Sequence, residues 1–170
     1  MTGGRGCYTF VMRVDGDPVV VYTDGACRGN PGPGGWAWAV PGGRYASGAD
    51  PHTTNQRMEI TAVLEALGDL TPARPSGIDV VSDSVYVVKA FTDRWWEGWQ
   101  RRGWKNAARK PVANRDLWEP LLELALAPVV PVSFRWVKGH SGDHWNDVVD
   151  ELATMAADGG RGSSGDRSSG

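Results

Sequence analysis

The chain alternates between short β-branched runs and helical stripes. Val19–Asp24 is a β-branched run ending in an acid, which predicts a buried strand. Arg28–Gly35, rich in glycine and proline, predicts a turn. Trp36–Val40 and Arg44–Gly48 predict two further strands, so the first three are expected to form an antiparallel meander. Ile60, Val63, Leu64 and Leu67 lie at i, i+3, i+4, i+7 and predict a helix capped by Thr54 or Asn55 and ended by Gly68 and Pro72. Ile78–Ser82 predicts a fourth strand, Ser84–Phe91 a second helix, and Arg94–Ala108 a short helix and loop. Asn114 is placed to cap a helix running to Leu126, stopped by Pro128 and Pro131. Val132–Val137 predicts the fifth strand and Asp143–Ala157 the last helix, with Val149, Leu152, Ala153 and Ala156 inward. No internal repeat is visible. The pattern implies an α/β fold: a mixed five-stranded sheet flanked by helices.

The predicted domain spans 18–158, with a basic insertion at 94–113. Residues 1–17 form a weakly patterned, Gly-rich extension. Residues 159–170 are expected to be disordered, because Gly, Ser, Arg and Asp have nothing to bury. Met1–Val14 lacks a signal-peptide pattern and no stretch reaches the ~18 apolar residues of a membrane span, so a cytoplasmic protein without membrane contact is expected. Cys7 and Cys27 match no metal or redox spacing and read as free thiols.

A formal net charge of −2 argues against a nucleic-acid partner. The distribution argues for one. Between Arg94 and Arg115 seven basic residues face a single acid, Glu97. Such a stripe is an electrostatic footprint for a polyanion, although a solvated helix face has the same composition.

Four acids occupy positions where charge is costly. Asp24 ends the first strand and Asp83 follows the fourth, and ligands gather beyond the carboxyl ends of strands in open α/β sheets. Glu59 and Asp150 lie on the core edges of their helices. Ionised carboxylates at a core edge need a partner, and a hard divalent cation is a natural one. Each acid taken alone also reads as a cap, a turn former or a surface charge.

Asp24-Gly25-Ala26-Cys27-Arg28-Gly29-Asn30-Pro31-Gly32-Pro33-Gly34-Gly35 resembles the first-strand signature of bacterial type 1 ribonucleases H. Thr53-Thr54-Asn55-Gln56-Arg57-Met58-Glu59, Ser82-Asp83-Ser84 and Trp136-Val137-Lys138-Gly139-His140-Ser141-Gly142 resemble that family's later motifs, with Asn146 and Asp150 following at its spacing. Gly98-Trp99-Gln100-Arg101-Arg102-Gly103-Trp104-Lys105 resembles its basic handle.

The resemblance implies the ribonuclease H-like fold, with strands 1–3 antiparallel and strands 4 and 5 parallel to strand 1. It implies a monomeric endonuclease, with no obligate protein partner, that cuts the RNA strand of an RNA–DNA hybrid to leave 3′-hydroxyl and 5′-phosphate ends. Asp24, Glu59, Asp83 and Asp150 would ligate two Mg²⁺ ions, with Mn²⁺ as a substitute, and His140 would relay a proton or assist product departure. On the substrate side it implies Asn30, the minor-groove pair Asn55 and Gln56, and the phosphate-holding Thr54 and Asn114. The handle residues Arg101, Arg102 and Lys105 would contact the duplex. Two positions depart from the family pattern: His52 stands where relatives often have Arg, and Val85 where some place an amide.

Of the nine tryptophans, Trp99 and Trp104, flanked by basic residues, are expected to meet the DNA strand. Trp118, Trp136 and at least one of Trp36 and Trp38 are expected in the core, and Trp95 and Trp96 are expected to anchor the handle. His144 is expected at the exposed start of the last helix. Two other readings stay open from sequence: a related nuclease acting on DNA, and an inactive hybrid-binding module.

Overall fold

In the computed structural model, which describes residues 16–167, six strands form one mixed sheet in the order β5-β4-β1-β2-β3-β6. The strands are β1 (Val19–Cys27), β2 (Gly32–Ala39), β3 (Arg44–Thr53), β4 (Ile78–Ser82), β5 (Val132–Trp136) and β6 (Ser164–Asp166). The helices are α1 (Asn55–Leu70), α2 (Val85–Thr92), α3 (Trp95–Arg101), α4 (Arg115–Ala125) and α5 (His144–Gly159). β1, β2 and β3 pair antiparallel, as the pattern implied, and β4 runs parallel to both β1 and β5, as the resemblance implied.

The alternation of residues along β1 and β2 divides the core between two faces. Val21, Trp38 and the partly buried Trp36 point to the face covered by α1, α2 and α4, where Ile60, Val63, Leu67, Val87, Trp118 and Leu121 complete the main core. Ala37 and Ala39 point the other way, against Val149 and Ala153 of α5. Small residues let α5 lie close to the sheet. A methyl at Gly35 would collide with the backbone of Ala153 and Ala157, so α5 docks only where that position carries no side chain.

Three expectations change. β2 already begins at Gly32, inside the predicted turn, and β3 continues to Thr53 rather than Gly48. The polar tail is not without structure. Ser164–Asp166 forms β6 on the edge of β3, Ser163 N–H donates to Ser47 Oγ at 2.9 Å, and the Arg167 guanidinium lies 5.1 Å from the Tyr45 ring centroid. Backbone pairing needs no apolar side chain, and Gly162 passes over Ser47 and Gly48 where a Cβ would collide with their backbone. Trp136, expected in the core, is 48% exposed, because β5 is an edge strand and this residue ends it. Of the cysteines, Cys27 is a free thiol whose S–H reaches Thr53 O at 3.4 Å; Cys7, like the rest of 1–15, lies outside the described residues. Among the described residues no helix is long and apolar enough to cross a membrane.

Candidate active site

The parallel pairing of β1 with β4 sets the centre of the site. Thr23 is in register with Ser82, so the next residue of each chain, Asp24 and Asp83, emerges side by side at the carboxyl ends of adjacent strands. Glu59 joins them from the second turn of α1. The approach depends on Gly25, where a Cβ would strike the Glu59 nitrogen and the Met58 backbone. Asp150 comes from α5, one turn beyond Asn146.

Neutral groups orient these carboxylates. Gly25 N–H donates to Asp24 Oδ1 at 2.8 Å, and Ser84 Oγ–H donates to Glu59 Oε2 at 2.8 Å. Asn146 Nδ2–H donates to Asp83 Oδ2 at 3.3 Å, and the Trp136 indole N–H donates to the Asp83 carbonyl at 3.0 Å. Gly139 presses on Asp83 from the β5–α5 loop, where a Cβ would stand 2.7 Å from Oδ2. Ser84, Asn146, Trp136 and Gly139 are thus the support that the sequence showed as residue types but not as partners.

The electrostatics follow from burial without a counter-ion. Asp24 is only 6% exposed. Desolvation, reinforced by the charges of Asp83, Asp150 and Glu59, pushes its carboxyl up to about 8, against the pull of the Gly25 N–H. Burial also raises Glu59, opposed by the Ser84 hydroxyl and assisted by Asp83. Asp83 is raised by burial and then by Asp150, while His140 acts in the opposite direction. No lysine or arginine forms an ion pair with any of the four among the described residues. His140 is exposed, in the left-handed region at φ 53°. No three acid, histidine or thiol groups among the described residues close into a cage. Oxygen donors in an open, mutually repelling set fit a hard ion that keeps waters and takes substrate oxygens as ligands.

Beside Glu59 and Asp83 opens a groove of about 740 Å³, lined also by Asn30, Thr54, Asn55, Gln56, Tyr86 and Asn114. The structure therefore brings the predicted amides together with two of the carboxylates, Glu59 and Asp83. Thr54 caps α1, its Oγ1 accepting from Arg57 N–H at 3.3 Å, and the Asn55 N–H donates to Asn30 Oδ1 at 3.0 Å. The exposed side chains of Asn55 and Gln56 are left to the groove. Asn114 occupies the cap position of α4, but its side chain makes no cap hydrogen bond. Its Oδ1 instead accepts from Arg57 Nη1 at 3.3 Å, and Asp116 fixes that guanidinium at 2.8 and 3.0 Å. Val85 stands 48% exposed on the groove wall, and His52 is exposed with its N–H bonded to Asp50.

The handle keeps its charges in water and packs Trp96 and Trp99 inward. Arg101, Arg102 and Lys105 are exposed, while Arg94 pairs with Glu97 and Arg115 with Glu119. Trp99, expected to meet the DNA strand, is a core residue at 7% exposure, its centroid 5.2 Å from that of the fully buried Trp118. Its basic neighbours in sequence misdirect the reading. Trp99 lies three and four residues after Trp96 and Trp95, on the inner side of α3, and Arg101 and Arg102 fall outside it. Trp104 is half-buried, and Arg115 lies 5.1 Å from its ring centroid. Trp96 packs on the core, whereas Trp95 is exposed and leans on Tyr86. His144 is exposed at the start of α5, as expected.

Sheet order, helix placement and carboxylates at the strand ends define a protein of the ribonuclease H-like fold. The solved structure of LC9-RNase H1, a type 1 RNase H with the type 2 active-site motif, superposes with a TM-score of 0.72 at 32% identity, over 89% of this chain and 79% of that one. The RNase H family model matches residues 16–158. Ribonuclease H of Pelobacter propionicus is 50% identical over 82% of this chain and 84% of its own length, and that of Thermus thermophilus is 50% identical over 82% and 83%. The chain belongs to the RNase H family, in its type 1 class.

Proposed function

We propose that this chain is an endoribonuclease that hydrolyses the RNA strand of RNA–DNA hybrids, leaving 3′-hydroxyl and 5′-phosphate ends. The observation that carries the reading is the groove in which Asn30, Thr54, Asn55, Gln56 and Asn114 open directly onto Glu59 and Asp83. Short amides suit the wide, shallow minor groove of an A-like duplex, where the 2′-hydroxyl separates RNA from DNA. Thr54 and Asn114, the latter oriented by Arg57, hold a phosphate of the DNA strand. Arg101, Arg102 and Lys105 extend the contact electrostatically, and Trp104 offers them an aromatic edge.

Asp24, Glu59, Asp83 and Asp150 are the residues that would hold two Mg²⁺ ions, or Mn²⁺ in their place. Bound there, such ions supply an activated water and stabilise the leaving oxygen of a phosphodiester. Asp24, Glu59 and Asp83 have their orientation set by neutral donors, so these three are placed without being neutralised. His140, exposed beside Asp83, takes up or returns a proton at its imidazole. The enzyme works as a monomer in the cytoplasm.

The test is digestion of labelled hybrid, double-stranded DNA and double-stranded RNA, each with Mg²⁺ or EDTA. Cleavage of the RNA strand of the hybrid alone, abolished by EDTA, is expected. Cleavage of DNA would move the chain to the DNA-cutting relatives of this fold, and binding without cleavage would make it a hybrid-binding module.

A further inference from the structure

Each edge of the sheet can take a further strand, and at one of them this chain supplies it. The β3 edge is covered by β6, from the chain's own C-terminal segment. At the other edge, β5 pairs with β4 alone among the described residues. The Ile78 N–H donates to Pro131 O at 2.9 Å and the Val137 N–H to Ser82 O at 3.0 Å, so the odd-numbered positions here turn their backbone toward β4. By the two-residue period of a strand, the N–H and C=O groups of Val132, Phe134 and Trp136 point outward. The surface beside them is apolar. A cavity of about 540 Å³ opens there, with Val132, Phe134, Phe91 and Leu126 in its wall. Phe91 stacks on Phe134 at 3.8 Å, Leu126 is 44% exposed, and Val129, three residues before β5, is 65% exposed.

The other end of the chain enters the sheet beside this edge. Gly16, the first described residue, accepts from Ser76 Oγ at its carbonyl at 2.6 Å, two residues before β4 begins. A Cβ at Gly77 would stand 3.6 Å from Pro18 and 3.3 Å from Pro131 O, so the starts of β1, β4 and β5 lie together. Ahead of Gly16, outside the described residues, the Gly-rich opening holds one glycine-free stretch, Tyr8-Thr9-Phe10-Val11-Met12-Arg13-Val14. Tyr8, Phe10 and Met12 alternate in it with Thr9, Val11 and Arg13. At ~4.8 Å per strand, the position outside β5 is about 10 Å from Gly16, a span that three extended residues cover at ~3.3 Å each. Arg13 is three residues away. We propose that residues 8–13 occupy this edge as a seventh strand, bonded to the outward backbone groups of Val132, Phe134 and Trp136, with Phe10 and Met12 over the cavity. The strand runs antiparallel to β5, because it leads toward Gly16 at the end where β5 begins. Thr9 and Arg13 then fall on the polar side shared by the exposed Ser133 and Arg135. An open edge beside apolar surface is a template for another molecule, and a strand supplied by the same chain removes it.

The test is residue-resolved amide exchange of the full chain beside two variants. Phe10→Asp puts a charge over the apolar cavity. The double variant Val11→Pro, Met12→Pro deletes a bond to β5 in either register, since successive strand amides point opposite ways and proline has none. In the wild type the amides of Val132, Phe134 and Trp136 should exchange slowly. Each variant should speed them by about tenfold or more, while Ser133 and Arg135, turned toward β4, keep their protection. Hybrid cleavage should be retained, because Asp24 and Asp83 lie at the opposite ends of their strands. Fast exchange of the three outward amides in the wild type, or rates that neither variant changes, would overturn the proposal. Equal acceleration at Ser133 and Arg135 would also overturn it, because the sheet itself would then have loosened. Protection that appears only at concentrations where sedimentation shows a dimer would assign the edge to a second copy and defeat the proposal as well.

Discussion

Asp24→Asn should abolish cleavage and make the metal-free protein more stable, but only at neutral and alkaline pH. The amide has the size of the carboxyl and can accept the Gly25 N–H at the same distance, while it removes the charge that Asp83, Asp150 and Glu59 oppose. The sign follows from linkage. The Asp24 carboxyl is raised in the folded protein from 3.8 to about 8, so stability is fully present below pH 4 and is lost as pH climbs through about 8. At ~1.4 kcal/mol per pH unit the gap sets a ceiling of roughly 5–6 kcal/mol. The neighbouring carboxylates take up part of the same proton load, which leaves about 2–3 kcal/mol for Asp24 alone. In a chain of this size that corresponds to roughly 4–12 °C in Tm. The assay is thermal unfolding of wild type and variant in EDTA at pH 4.5 and pH 8.5, with hybrid binding in Ca²⁺ as a check on the groove. The variant should melt higher at pH 8.5 and within about 2 °C of wild type at pH 4.5. Equal gains at both pH values, or a less stable variant at pH 8.5, would refute the reasoning, and activity within tenfold of wild type would remove Asp24 from the site.

Other substitutions separate the parts of the molecule. Replacing Arg101, Arg102 and Lys105 with Ala should raise KM and flatten the salt dependence of binding by roughly 0.9 per lost phosphate contact, leaving kcat near wild type; unchanged affinity and slope would reduce the handle to a solvated face. His140→Ala should slow turnover about ten- to a hundredfold with KM nearly unchanged, and a loss as complete as that of Asp24→Asn would show that the imidazole organises the cation ligands. Gly25→Ala forces a methyl into the Glu59 backbone and should cost about 1–3 kcal/mol in urea unfolding together with most of the activity, whereas a stable, active variant would mean that α1 can retreat. Truncation after Gly159 uncovers the β3 edge, so faster amide exchange at Tyr45–Ser47 with unchanged kcat is expected; unaltered protection there would show that β6 contributes nothing.

The residues of the site were legible because acids at the ends of apolar strands violate the pattern around them. Asp24 and Asp83 announce themselves in this way, and Glu59 and Asp150 do so against their helical stripes. Their adjacency was not legible in the pattern, since it depends on β1 pairing in parallel with β4 across some sixty residues of chain. The supporting bonds were hidden for the same reason. Ser84 reads locally as a helix cap, which it is, accepting from Val87 N–H at 3.2 Å; that its proton goes to Glu59 requires α1 to be in place. The tryptophans show how sequence neighbours mislead. Trp99 has basic company and a buried ring, while Trp136 follows an apolar alternation and ends half in water, because exposure depends on which strand lies at the sheet edge. The tail misled through composition, which registers side chains and not a backbone edge waiting to be paired.

What separates Asp24, Glu59 and Asp83 from Asp116 and Asp158 is the kind of donor each one meets. Asp116 and Asp158 hold guanidinium groups of Arg57 and Arg28, and hydrogen bonding to those cations draws both carboxyls below the usual range. A carboxylate neutralised in this way has little left to offer a divalent ion. Asp24, Glu59 and Asp83 instead receive a peptide N–H, a hydroxyl and an amide, which fix direction while leaving the charge uncompensated. Burial makes that charge costly by itself and correspondingly strong toward a cation, since the same low dielectric amplifies both repulsion and attraction. Arg57 shows the division at closest range. It lies in the first turn of α1, two positions before Glu59, yet its guanidinium is tied to Asp116 and Asn114 beside the groove. Held by Asp116 of α4, it compensates none of the four acids and lies against Asn114 at the groove.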